Sequence, residues 1–199
     1  MRATGSELVT HILRKESLLL KYEALLAQIG LCASMESKGA GQSKLNPDEQ
    51  ALATYEETLR VRPNDVEAWY NKGLTLSNLE RDEEALQCFE EALKLKPDHA
   101  EAWDNKGVAL DNLARCEEAL QCFEEALKLK PDYAEAWDDK GVVLSNMEDY
   151  EKALTCFDKA LKLKPDFVRA LYHKGMALIN QGRTEEAAAV YSEANKYPS

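Results

Sequence analysis

No apolar run in this chain is long enough to cross a bilayer. The most apolar stretch, Leu18 to Leu31, is broken by Lys21 and Glu23, and a spanning helix needs about 20 apolar residues. The first ten residues lack the apolar core and small-residue cleavage site of a secretory leader, so the expectation is a soluble, cytoplasmic protein with no membrane partner. Histidine is scarce: His11, His99 and His173 stand apart, with no HExxH and no nucleophile close by in sequence. No single loop concentrates glycine, so there is no cradle for phosphate. These absences argue against an enzyme, a bound cofactor or a metal site. Lysine and arginine form no run, and the formal net charge is −11. Such a surface repels phosphate backbones, which excludes nucleic acid as the expected partner. The five cysteines show neither paired disulfide spacing nor CxxC. They read as small side chains, mostly buried, in a reducing compartment.

What the chain does have is a period of 34 residues. Trp69, Trp103 and Trp137 are spaced by it, as are Gly73, Gly107, Gly141 and Gly175, Pro63, Pro97, Pro131 and Pro165, and Cys88, Cys122 and Cys156. A repeat of this length makes each unit too small to bury a core alone, so the units stack and function moves to an extended surface.

Within one period the apolar spacing is helical. Trp103, Gly107, Leu110 and Leu113 form one stripe; Ala119, Leu120, Phe123, Ala126 and Leu127 form a second. Ala114 to Cys116 leave room for a tight turn between two antiparallel helices. Pro131 closes the second, since the residue before a proline avoids helical geometry. Glu117 and Glu118 at its start and Lys128 and Lys130 at its end complement the helix dipole. Asp98 with Glu101, and Asp132 with Glu135, have capping-box spacing. A glycine kept inside each first helix costs about 1 kcal/mol relative to alanine, which predicts a close crossing by the partner helix at Ala85, Ala119, Ala153 and Ala187.

The pattern Ala-Trp-x-x-Lys-Gly, then Glu-Glu-Ala-Leu-x-Cys-Phe-x-x-Ala, then Leu-Lys-Pro resembles the tetratricopeptide repeat (TPR). Residues 66–97, 100–131 and 134–165 match closely. Residues 168–199 match more loosely, with Leu171 for Trp and Tyr191 for Phe, and residues 47–63 resemble the second helix of a degenerate unit. The resemblance implies an all-α fold, a right-handed α-solenoid of antiparallel helix pairs (the TPR superhelix). Lys72, Lys106, Lys140 and Lys174 stand where the family more often has leucine, and only Gly182 supplies its usual turn glycine. Residues 1–46 read as a helix over about 5–30 and a Gly/Ser-rich loop, capping the stack or forming a dimer contact. Asn46-Pro47 starts the next helix.

The resemblance also implies a concave groove lined by the first helices, where a protein or peptide partner lies extended or helical. Its positions are Tyr70, Asn71, Asn78, Asp104, Asn105, Asp111, Asn112, Asp138, Asp139, Asn146, Tyr172, His173 and Asn180. The recurring Asn78, Asn112, Asn146 and Asn180 resemble the asparagine ladder of sugar-transferring TPR enzymes, and primary amides can grip a peptide backbone from both sides. The alternative is that they end their helices. The chaperone-tail clamp of the family needs Lys, Asn and Arg; here Tyr70 or Asp104, Asn105, and Glu135 with Asp139 occupy those places. The acidic middle, Asp104, Asp111, Asp138 and Asp139, fits a basic segment, or is a solvated face. Arg169 and His173 are the only basic pair nearby.

The expected function is therefore a protein–protein interaction scaffold. Two alternatives stand beside it. One is a self-associating module working through stack ends such as Ala188–Val190, where no polar capping helix follows before Ser199. The other is a substrate-recruiting accessory to a separate enzyme.

Overall fold

The computed structural model describes residues 46–197. Its helices are α1 (Pro47–Val61), α2 (Val66–Asn78), α3 (Asp82–Leu95), α4 (Ala100–Asn112), α5 (Cys116–Leu129), α6 (Ala134–Asn146), α7 (Tyr150–Leu163), α8 (Val168–Asn180) and α9 (Thr184–Ala194), with no strand among the described residues. The helix expected over 5–30 and the loop expected before Asn46 lie outside them. Pairs α2–α3, α4–α5, α6–α7 and α8–α9 are the four repeats, and α1 precedes them. Together they form a helical solenoid. First helices of successive repeats touch (α2 with α4, α4 with α6, α6 with α8), whereas neighbouring second helices do not. The first helices therefore lie on the inner side of the curve.

α1 begins as its sequence requires. Asn46 accepts from the Asp48 N–H at 3.4 Å, Glu49 accepts from the Asn46 N–H at 3.1 Å, and Pro47 takes the first turn. The capping boxes expected at Asp98 and Asp132 are not made. α4 and α6 start from His99 and Tyr133, one residue later, with no side-chain cap. In the first repeat an aspartate does occupy that register, and Asp65 accepts from the Ala68 N–H at 3.1 Å. Glu101 and Glu135 instead reach across to Lys130 (3.1 Å) and Lys164 (3.5 Å).

The repeated glycine has a more specific cause than a close helix backbone. A Cβ on Gly73, Gly107 or Gly141 would stand 2.5–2.8 Å from ring carbons of Phe89, Phe123 or Phe157, and on Gly175 2.6 Å from Tyr191. Those three phenylalanines are fully buried, so each ring packs directly against a bare backbone. The tryptophans also anchor the loops. Trp69, Trp103 and Trp137 donate from Nε1 to the carbonyls of Pro63, Pro97 and Pro131 at 2.8, 2.9 and 3.1 Å. Leu171, their counterpart in the last repeat, has no such donor.

The lysine series forms a ladder between repeats. Lys72, Lys106, Lys140 and Lys174 reach Glu56, Glu90, Glu124 and Asp158 of the preceding second helix at 3.3, 3.0, 3.0 and 2.6 Å. In the first two repeats the ammonium also lies over the Trp69 or Trp103 ring. The turns share one backbone solution. Arg81, Arg115, Asp149 and Arg183 donate back to Leu76, Leu110, Leu144 and Leu178, closing the first helix in a Schellman motif. The left-handed position is filled by Glu80, Ala114 and Glu148, and by glycine only at Gly182.

Candidate functional site

α2 carries Tyr70 and Asn71. The Tyr70 ring packs 4.9 Å from the imidazole of buried His99, and its hydroxyl accepts from Asn105 Nδ2 at 3.1 Å. The same Asn105 amide donates to the Glu101 carbonyl at 2.8 Å. Asn71 is half-buried, and its backbone carbonyl accepts from the Thr75 hydroxyl.

The acidic middle is mostly enclosed. Asp138 is 0% exposed. Arg169 Nε stands 2.8 Å from its Oδ2, and His173 Nδ1 stands 2.9 Å from its Oδ1. A carboxylate only accepts, so that imidazole nitrogen carries the proton. Arg169 Nη2 reaches Asp139 Oδ1 at 3.0 Å, so one guanidinium serves two consecutive aspartates. Asp104 is 4% exposed, and its Oδ1 is buried without a hydrogen-bond partner. The Tyr133 hydroxyl lies near it and offsets part of the cost of its burial. Burial, reinforced by the nearby Asp139 charge, pushes the Asp104 carboxyl up to about 7. Burial also raises Asp139 to about 6, with Arg169 pulling the other way. Tyr172, on α8, has its ring 5.7 Å from Tyr191.

The asparagine series divides. At the rim where first helices turn into second ones, Asn112 donates to Asp82 at 3.3 Å, beside Ser77, which donates to the same oxygen at 2.7 Å. Asn146 donates to Asp111 at 3.3 Å, and Asp111 also meets the Cys116 thiol at 3.7 Å. These two amides tie neighbouring repeats together. Asn78 and Asn180 are exposed at the last helical positions of α2 and α8.

Tyr133, Asp82 and the covering role of Arg169 escape a residue-by-residue reading. One signal could have found them. Inter-repeat partners recur at offsets near one period, 29 for Lys130–Glu101 and 35 for His173–Asp138. Two clefts of about 490 and 390 Å³ lie elsewhere, beside Trp69 and Lys72 and beside Trp103 and Lys106, and none of the candidate residues lines them. Among the described residues no group of three or more His, Cys, Asp or Glu could hold a metal ion, and no helix is long and apolar enough to cross a membrane.

Comparison with known proteins follows the same geometry. Tetratricopeptide-repeat family profiles match residues 66–99, 100–133, 122–155 and 139–199. Among solved structures, MamA 41-end from Desulfovibrio magneticus RS-1 is 28% identical with a TM-score of 0.68, over 75% of this chain and 85% of that one. YrrB, described as a TPR protein with an unusual peptide-binding site, is 26% identical with a TM-score of 0.61, over 78% and 80%. TTC0263, a thermophilic TPR protein of Thermus thermophilus, shares the fold at 24% identity and a TM-score of 0.68, over 75% and 82%. No curated protein sequence matches the chain.

Proposed function

The chain belongs to the tetratricopeptide repeat family, an interaction-scaffold fold, and from that premise we propose that it captures a basic, extended or helical segment of a partner protein along its first-helix face. In this reading it is not an enzyme and works in the cytoplasm. The observation that carries it is the charge balance at the middle of that face. Asp138 and Asp139 share a single guanidinium, Arg169, and one buried oxygen of Asp104 has no donor. A cation from outside would complete that balance. Tyr70, Asn71, Asn105 and Tyr172 flank it with aromatic and amide surface. Asn78, Asp111, Asn112, Asn146 and Asn180 form the rim of the same proposed site, with His173 at its C-terminal side. The supporting precedent is YrrB, a TPR protein described with a peptide-binding site.

A peptide array with basic, neutral and acidic segments at low and moderate salt tests this. Binding should favour basic peptides, weaken with salt and disappear in Asp139→Lys. Equal binding of acidic and basic peptides overturns it. A second reading, self-association through a stack end, is favoured by Met176 and Ile179 on α8, exposed at 47% and 37%. Sedimentation of Met176→Glu beside the parent chain decides it, since a strict monomer in both removes that reading.

A further inference from the structure

The middle of the inner face contains three aspartates and two bases, and they are not matched evenly. Asp138 takes both Arg169 Nε and His173 Nδ1. Asp139 shares the second arm of Arg169. Asp104 faces Tyr133, Asp139 and Glu135 from the α6 side, Arg169 from α8, and Tyr70 from α2. Arg169 is the only permanent cation among these groups, and its bonds go to the other two aspartates. Asp104 Oδ1 is left buried and partnerless. An orphaned carboxylate oxygen in such a place is costly unless a proton or a cation sits on it.

We infer that Asp104 and Asp139 form a seat for one arginine or lysine side chain of the partner. This rests on the groove reading above and deepens it by naming the contact and its proton linkage. Asp139, with its side chain 17% exposed, is the approachable member, and Asp104 is the more buried one. Before the partner binds, a proton partly occupies the pair, because burial holds both carboxyls above the usual range, with the Asp139 charge adding to the rise at Asp104 and the Asp138 charge to that at Asp139. An entering guanidinium or ammonium supplies the positive charge instead. The carboxyl releases its proton to solvent, and the ion pair forms with Asp104 Oδ1 as acceptor. Binding then strengthens as pH rises through 6 to 8, about tenfold for each unit by which the cation lowers the Asp104 titration midpoint.

The test is a carboxyl-carbon NMR titration of the full chain with a blocked-terminus peptide carrying one arginine, and with its citrulline counterpart. The arginine peptide should lower the Asp104 midpoint by about one unit or more, and citrulline should leave it in place. Asp104→Asn should abolish the pH dependence of affinity. Tyr133→Phe, which removes only the hydroxyl near Asp104, should keep it should the first variant fail to fold. The His173 ring carbons, read in the same spectra, separate its titration from that of Asp104. Movement of the Asn71 and Asn105 resonances with an unmoved Asp104 midpoint overturns the inference and leaves the groove reading standing. No movement of any of them overturns both.

Discussion

Arg169 Nε stands 2.8 Å from Oδ2 of a fully buried Asp138, and the same guanidinium turns its other arm to Asp139. The pair joins α6 to α8, so it holds the third and fourth repeats in register. Breaking a fully enclosed ion pair costs about 3–5 kcal/mol. Arg169 is 48% exposed and His173 remains on Asp138, so Arg169→Ala should cost less, roughly 2 kcal/mol. Urea unfolding checks this, and a variant as stable as the parent removes the buried pair from the account. Asp138→Lys would place a second cation in that enclosed spot, which makes it a folding mutation before it is a groove mutation. Asp139 is the cleaner probe of binding.

Gly107 carries the ring of Phe123. A Cβ there would stand 2.8 Å from two ring carbons of a side chain with no exposed surface. Gly107→Ala gains about 1 kcal/mol of helix propensity and meets an overpacking cost of about 1–3 kcal/mol. The expected net loss is roughly 1 kcal/mol. Phe123→Leu should relieve it, so the double variant loses less than the sum of the singles. Additive losses would show that something other than the ring sets the glycine.

The 34-residue spacing of Trp, Gly and Pro made the helix pairs and their stacking legible in the sequence, because those residues act locally. Pairing between repeats was harder to read. That Asp138 is covered by Arg169 and His173, or that Asn112 and Asn146 face Asp82 and Asp111, depends on how far one repeat turns against the next. The period alone does not encode that rotation. The capping-box spacing at Asp98 and Asp132 misled by one residue, since the chain enters the helix at His99 and Tyr133. The lysine series was legible as unusual, while its partners Glu56, Glu90, Glu124 and Asp158 follow only from the packing of first helices on preceding second ones.

Lys106 illustrates what that ladder is worth. Its ammonium meets Glu90 at 3.0 Å and lies 5.7 Å from the Trp103 ring. Its carboxylate partner is half in solvent, so the pair contributes about 0–1 kcal/mol. Lys106→Leu replaces it with apolar contact on the same stem, and stability at low salt should stay within about 0.5 kcal/mol of the parent. The parent alone should weaken as salt screens the pair. A loss well beyond that range would make the ladder a principal source of stability.

Ala114 sits at φ 57°, where Gly182 sits at 80° in the last repeat. A left-handed L-residue costs about 1–2 kcal/mol, and glycine returns about 0.4–1 kcal/mol through its freer unfolded chain. Ala114→Gly should therefore stabilise by roughly 0.5–1 kcal/mol. The Ala109 and Leu110 carbonyls that close the turn keep their donors, so no contact is lost. A lower urea midpoint in this variant would contradict the strain assigned to the turn.

Asp104 and Asp139 set a pH dependence whose sign is opposite to that of salt-bridged carboxylates. Burial raises their folded-state values to about 7 and about 6, above the ordinary aspartate value of 3.8. Between about pH 4 and pH 7 the folded chain holds more protons than the unfolded chain, so stability falls as pH rises through that window. Below it both states are protonated, and above it both are charged, with the desolvation cost then fully present. Thermal unfolding should show a higher Tm at pH 5 than at pH 8. Asp104→Asn, which keeps the shape and removes the charge, should flatten the curve and raise Tm at pH 8. The exposed ion-paired glutamates, such as Glu84 and Glu118, are shifted down and act in the opposite direction below about pH 4.5, outside most of this window. A Tm that rises steadily from pH 5 to pH 8 in the parent would mean that both carboxyls are charged at little cost, and that the middle of the inner face is open to solvent.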